Sequence, residues 1–186
     1  LEGTTDVTRT IIKGRVLPEQ KFFYTKVLQG LICLSKLKWP AGLTGKELDP
    51  LARYFLWEHC LDYDHGTGHG VGVFSNVHQG PQGISRLNTV PLNPGMILSV
   101  EPGVYLEGKL GIRLENLVYV KKKSGNSRQK REFLEFETLT LVPFEKKLIE
   151  KDLLSCDELH WLNSYHDNVY NKLSPFLNVS EKTWLR

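Results

Sequence analysis

Apolar and polar positions recur with two different periods along this chain, and the period changes where the elements change. From Gly3 to Ile12 the residues Thr4, Thr5, Val7, Thr8, Thr10, Ile11 and Ile12 predict a strand, with Asp6 in its middle. From Pro18 to about Lys36, Phe22, Phe23, Val27, Leu28, Leu31 and Ile32 fall at helical spacing, and Pro18 suits a first helical turn. Trp39-Pro40-Ala41-Gly42 ends that helix. A second helix is predicted from about Gly45 to Cys60, burying Leu48, Leu51, Ala52, Phe55 and Leu56 or Trp57. The turn signals Gly80-Pro81-Gln82-Gly83 and Asn93-Pro94-Gly95 are followed by apolar strands at Met96–Glu101 and Gly111–Val120. On the second of these, a period of two places Ile112 and Leu114 on one face and Arg113, Glu115 and Leu117 on the other. Another strand, Phe133–Val142, is closed by Pro143. The last helix opens on Ser155-Cys156-Asp157-Glu158, a capping box, and runs to about Lys172 with Leu159, Leu162, Tyr165 or His166, Val169 and Leu173 on one side.

One stretch fits neither period. His65-Gly66-Thr67-Gly68-His69-Gly70-Val71-Gly72 places four glycines in seven residues, each costing about 1 kcal/mol relative to Ala inside a helix. It reads as a nearly bare backbone leading into a strand, able to approach a ligand closely and hold imidazoles against it. Val73–His78, which follows, reads as extended. A glycine-rich turn with incidental histidines is the plainer account. Three of the six histidines within fourteen residues make it the weaker one.

Composition narrows the function classes. The 186 residues are 40% hydrophobic and 24% charged, enough for a packed core and one domain. A net charge of +3 is too small to argue for nucleic acid. The basic run from Lys121-Lys122-Lys123 to Arg131 is expected to be a solvated hairpin tip. No apolar run approaches the roughly 20 residues needed to span a bilayer, and no leader is evident, so neither membrane nor nucleic acid is an expected partner. Cys33, Cys60 and Cys156 lack any CxxC spacing and are expected to be reduced and buried in a cytoplasmic protein. The chain starts at Leu1 with its only methionine at Met96, which reads as a piece of something longer.

Three acids sit where strands should be apolar: Asp6, Glu101 and Glu115. Each would cost several kcal/mol if buried without compensation, against a typical domain stability of about 5–15 kcal/mol. Together with His69 they suit a divalent metal bound mainly by oxygen, such as manganese, cobalt or zinc. Several carboxylates around one nitrogen is also the composition expected when ligands bridge two ions. Ordinary pairing is the alternative: Glu115 with Arg113 or Arg9, Glu101 at an exposed strand end, Asp6 capping a turn.

The motifs Gly66–Gly72, Asn76-Val77-His78-Gln79-Gly80-Pro81, Gly95–Gly103 and Gly111–Asn116 closely resemble those of the pita-bread metallopeptidases, and within them aminopeptidase P, the Xaa-Pro aminopeptidases. Gly3–Thr10 is similar to that family's aspartate strand. Phe136–Pro143 and Trp161-Leu162-Asn163-Ser164-Tyr165-His166 resemble the extension of its long cytosolic type, which prolidases and methionine aminopeptidases lack. The resemblance implies an incomplete α+β pita-bread fold, a curved antiparallel sheet covered by helices over residues 1–142, with a C-terminal extension over 143–186. It implies two divalent ions, manganese first, held by Asp6, His69, Glu101 and Glu115. It also implies Glu101 as proton shuttle, His78 as oxyanion stabiliser and substrate contact, His65 lining the substrate pocket, and Arg113 orienting Glu115. The implied substrates are peptides with proline second, and a homodimer through the extension is a further implication. A fifth family ligand, an aspartate eleven residues ahead of the Asp6 position, would precede Leu1, so weak metal binding and little activity are expected of the chain alone. Alternatives from other classes are a catalytically dead binding module and a prolidase-type dipeptidase.

Overall fold

The computed structural model describes residues 3–74, 76–123 and 131–186. In chain order these form α1 (Pro18–Ser35), β1 (Lys38–Pro40), α2 (Gly45–Trp57), β2 (Gly68–His69), β3 (Gly83–Ile84) and β4 (Ile97–Val100). There follow β5 (Gly103–Leu106), β6 (Leu110–Arg113), β7 (Asn116–Lys122), β8 (Phe133–Thr138), α3 (Cys156–Leu173) and α4 (Val179–Leu185). The main sheet is antiparallel with strand order β1-β8-β7-β4, and β2-β3 and β5-β6 are separate pairs.

The core lies between this sheet and α1. Leu98, Val100, Val118, Val120 and Leu134 of the sheet are fully buried, as are Val27, Leu28, Leu31 and Ile32 of the helix. Fully burying such a side chain is worth about 1.5–3 kcal/mol, so this layer carries much of the folding energy. Helix α1 also packs on α2 and α3. It meets α2 so closely that a Cβ at Gly30 would lie 2.4 Å from the Ala52 carbonyl oxygen, which explains a glycine inside a helix.

Several expectations need correction. Residues 3–12 join no ladder; they are held by the hydroxyls of Thr4, Thr8 and Thr10, by the Arg9 guanidinium, and by the Glu115 amide on the Thr8 carbonyl. Residues 73–74 and 76–78 lie in no strand, and Gly72 N–H donates to the Asn76 carbonyl at 3.0 Å; a glycine-rich lead-in has no side chains to hold a strand. The strand foreseen over 111–120 breaks at Leu114-Glu115, and its first half pairs with β5 instead of β4. Trp39-Pro40-Ala41-Gly42, read as a helix stop, does follow the end of α1, but Trp39 and Pro40 also pair with β8. On α1, Phe22 and Phe23 are only half-buried while Tyr24 is enclosed. Helix α2 buries Leu48, Ala52 and Leu56, but Leu51 and Trp57 are exposed, and it stops before Cys60, whose φ of 55° is left-handed. The cysteines are free as expected, yet Cys60 and Cys156 are exposed and Cys33 half-buried. Strands β7 and β8 flank the basic run, most of which lies outside the described residues. No helix among the described residues is long and apolar enough to cross a membrane.

The C-terminal extension docks on α1 through polar groups. Tyr24 Oη accepts from Glu145 N at 2.9 Å, Thr25 Oγ1 from Glu150 N at 2.9 Å, and Gln29 Nε2 donates to Glu158 at 3.2 Å. Helix α3 carries the expected capping box, with Ser155 and Glu158 each satisfying the other's backbone N–H. Leu162, Tyr165 and Val169 are its buried stripe. His166, half-buried beside them, accepts a hydrogen bond at Nε2 from Phe144 N at 3.1 Å. Burial first, then the charges of Lys146 and Arg9, lower its pKa from 6.5 to about 4 against the opposing pull of Asp167. Folding therefore favours the neutral ring. Its contribution to stability is complete above pH 6.5 and is lost as the pH falls through about 4. Urea denaturation should show this decline, and His166→Gln should remove that part of the pH dependence.

Candidate metal centre

Three chain segments far apart in sequence meet at the sheet edge. The extended N-terminal segment lies along the β6–β7 junction: Thr8 C=O accepts from Glu115 N at 3.0 Å, and Thr10 Oγ1 donates to Arg113 C=O at 3.1 Å. A period of two places Asp6, Thr8 and Thr10 on one face of this segment. The second segment carries β2 between β3 and the end of β4. Gly68 and His69 pair with Ile84 and Gly83, and Gly70 bridges Leu98. His69 N donates to Ser99 Oγ at 2.9 Å, and Glu101 N donates to Thr67 C=O at 2.7 Å. Gly68 is required here, since a Cβ on it would lie 1.9 Å from the Ser99 carbonyl oxygen. This close crossing sets His69 beside Glu101.

The ligand atoms converge. His69 Nε2 lies 3.3 Å from Asp6 Oδ2 and 3.2 Å from Glu101 Oε1. One ligand atom from each of Asp6, His69 and Glu115 fall within 4.8 Å of one another. His69 Nδ1 faces the Gly70 carbonyl at 3.0 Å, and a carbonyl only accepts, so Nδ1 carries a proton and Nε2 is aimed at the carboxylates. Burial lowers the His69 pKa, but hydrogen bonds to Glu101 and Gly70 and the charges of Glu101 and Asp6 outweigh it, raising the value to about 8. Burial also pushes Glu101 up, yet its bonds to His69 and Ser99 hold it below the ordinary range. Glu115 is raised, by burial and then by the charges of Glu101 and Asp6, despite the 2.6 Å hydrogen bond from Thr8 Oγ1. These carboxylates repel one another, and a cation among them would relieve that repulsion.

Of the ordinary pairings, none accounts for all three acids. Arg9 donates to the backbone carbonyl of Glu115, not to its carboxylate. Arg113 Nε stands 3.9 Å from Glu101 Oε2 and 3.3 Å from Thr8 Oγ1, reaching Glu115 through the threonine and not directly as expected. Glu101 is half-buried at its strand end, and Asp6 faces His69 and caps no turn.

The two other histidines stand at different distances. The exposed His78 ring lies 4.1 Å from the His69 ring, centroid to centroid. His65 is linked to the centre through Tyr105: its Nδ1 donates to Gly66 C=O at 2.8 Å, so Nε2 accepts from Tyr105 Oη at 2.9 Å, and Arg113 donates to the same hydroxyl at 3.4 Å. His65 also borders a cavity of about 440 Å³ walled by Tyr63, Asp64, Arg86 and Leu87.

Sequence reasoning missed Thr8, Tyr105 and the Asp49–Arg53 pair, and offered Arg9 only as an ion-pair partner of Glu115. Asp49 and Arg53, 0% and 2% exposed, form a bidentate ion pair four residues apart on α2. Arg53 donates to the carbonyls of Tyr63 and His65, and Thr67 Oγ1 donates to Asp49 Oδ1 at 2.6 Å, so α2 fixes the backbone that leads to His69. The acid–base spacing on an otherwise buried helix stripe was the available signal. For Thr8, the signal was the alternation of Asp6, Thr8 and Thr10.

Comparison with known proteins agrees with this geometry. Residues 1–122 match metallopeptidase family M24, and residues 132–186 match the C-terminal region of peptidase M24. A "Probable Xaa-Pro aminopeptidase P" of Botryotinia fuckeliana is 47% identical over 99% of this chain and 29% of its own length. The crystal structure of X-prolyl aminopeptidase from Caenorhabditis elegans, described as a cytosolic enzyme with a di-nuclear active site, superposes with a TM-score of 0.92 at 41% identity, over 98% of this chain and 30% of that one. An Xaa-Pro dipeptidase from Bacillus anthracis gives 0.62 at 31% identity over 76% of this chain and 36% of its own. The chain thus spans under a third of the first relative and of the nematode enzyme.

The crossing of Gly68 over Ser99 generates a prediction. Gly68→Ala forces backbone apart at the junction of β2 and β4 and should cost about 1–3 kcal/mol of stability, read as a lowered urea midpoint. An unchanged midpoint would show that the crossing has slack.

Proposed function

This chain belongs to metallopeptidase family M24 and has the pita-bread fold, and we propose that it supplies most of the catalytic centre of an Xaa-Pro aminopeptidase. The observation that carries this reading is the convergence of His69 Nε2 on Asp6 and Glu101, with Glu115 alongside. The oxygen-rich donor set with one imidazole fits two hard or borderline divalent ions, manganese first and cobalt or zinc as alternatives, held by Asp6, His69, Glu101 and Glu115. When bound, such a pair polarises the scissile carbonyl and makes a water acidic enough to attack at neutral pH.

The chain's own residues supply the rest. Glu101 takes the proton of the attacking water and returns it to the leaving proline nitrogen, which departs only when protonated. Ser99 Oγ, 3.0 Å from Glu101 Oε1, keeps that carboxylate in place. His78, whose ring adjoins that of His69, is assigned to stabilise the negative charge that builds on the carbonyl oxygen. His65 lines the pocket that receives the peptide, its ring fixed by Gly66 and Tyr105. Arg113 steadies Glu101 and, through Thr8, Glu115. We place the division near 142, with the catalytic part before it and the extension after it; the two family matches change over earlier, between residues 122 and 132.

The dipeptidase reading is less well supported: that similarity covers 76% of the chain, whereas the nematode aminopeptidase is similar over 98%, extension included. A dead binding module would be expected to have lost ligands, and all four positions keep theirs. We assign a cytoplasmic location by likeness to the nematode enzyme, and a homodimer through the extension, whose Phe176, Val179 and Trp184 are largely exposed.

The full-length protein should cleave Xaa-Pro peptides longer than two residues. Chelation should abolish this and added Mn²⁺ restore it. Glu101→Gln should lower kcat by about 10²–10⁴-fold. Activity that survives chelator dialysis would overturn the metallopeptidase reading, and cleavage of dipeptides alone would favour the dipeptidase.

A further inference from the structure

One guanidinium joins the segment that carries Asp6, the strand that follows Glu115, and the C-terminal extension. Arg9 Nη1 donates to the carbonyls of Thr8 at 2.9 Å and Glu115 at 2.5 Å. Its Nη2 donates to Asn116 Oδ1 at 2.6 Å, Val142 C=O at 2.7 Å and Tyr165 Oη at 3.1 Å, and Nε donates to Pro143 C=O at 3.2 Å. The Phe144 ring covers its face at 4.2 Å. Tyr165 Oη in turn donates to Val142 C=O at 2.7 Å or Thr140 C=O at 3.1 Å. Arg9 thus has a partner for every donor group, on both sides of the junction.

The placement matters more than the number of bonds. Asp6 is three residues before Arg9, and Glu115 offers Arg9 its own carbonyl. The register between these two segments sets how far apart their carboxylates lie. Those carboxylates repel each other, so the unliganded site tends to spread, and the rigid fork of Arg9 opposes that spreading at the backbone. Residues 142–144 and Tyr165 hold the fork in turn.

We propose that Arg9 is a positioning residue through which the C-terminal extension, by way of Tyr165 and Phe144, sets the Asp6–Glu115 spacing and with it the affinity for divalent ions. This rests on the reading that Asp6 and Glu115 hold metal. The extension is then a working part of the centre and not only a docked appendage.

The test compares full-length wild type, Tyr165→Phe, Arg9→Lys and Arg9→Met, stripped with chelator. Mn²⁺ affinity is measured by calorimetry, with melting temperature, KM and kcat recorded for each. Tyr165→Phe and Arg9→Lys should weaken Mn²⁺ binding by about tenfold and Arg9→Met by up to about 100-fold, the range seen when partners of metal ligands are removed. KM for an Xaa-Pro peptide should not change, and the loss in kcat should recover at saturating Mn²⁺. Variants with lower melting temperatures but wild-type Mn²⁺ affinity would overturn the proposal and leave Arg9 as a brace. If Arg9→Met does not fold, Tyr165→Phe, which keeps the ring, decides. Wild type that binds Mn²⁺ without cleaving peptides would sink the peptidase reading alone, with the variants' affinities still deciding this inference. Wild type that binds no divalent ion would sink both.

Discussion

Like charges crowded at the edge of a sheet are the constraint on which the rest of this structure depends. Asp6, Glu101 and Glu115 come from three segments, and the charges of Glu101 and Asp6 raise the cost of charging Glu115. Left to themselves they would separate or take up protons. What keeps them together in the protein is the threonine hydroxyls along 8–10, the tight passage of Gly68 across Ser99, and the amide of Glu101 on Thr67. Among side-chain pairings the closest are those of His69 with Asp6 and Glu101, while Arg113 stands at 3.9 Å from its nearest acid.

Behind this edge lies a buried ion pair. Asp49 and Arg53 are enclosed together, and the remaining donors of Arg53 reach Tyr63, His65 and Asp62. Breaking such a pair by removing one partner would cost about 3–5 kcal/mol, whereas the intact pair adds little net stability. Its value is geometric, because a guanidinium fork and a carboxylate fix direction where apolar packing fixes only distance. Arg9 likewise fixes direction through its guanidinium fork, on the carbonyls of Thr8, Glu115 and Val142.

The helices were legible in the sequence because their signals are local. The capping box at Ser155 and the apolar spacing of α1 lie within a few turns. The ligand candidates were legible too, since an acid in an apolar run is conspicuous whatever the run pairs with. Strand partners were not. The sequence over 111–120 reads as one strand, and only the presence of β5 on one side and β4 on the other splits it at Leu114-Glu115. The segment 3–12 has strand composition but no backbone ladder, and β1 needed β8, nearly a hundred residues later, to become a strand at all. The helical spacing also erred on α2 at Leu51, which is exposed, and of the alternatives Leu56 and Trp57 it is Leu56 that is buried.

The two-residue length of β2 has a kinetic consequence. A strand that short cannot persist by itself, and its anchors at Ser99, Gln82 and Leu98 come from later in the chain. Loop-closure entropy must be met before those contacts form, as it must for Thr8 with Glu115 and Arg9 with Tyr165. During refolding, α1 and α3 should regain their circular-dichroism signal early, while His69 reaches its place only after the distant strands have closed around it.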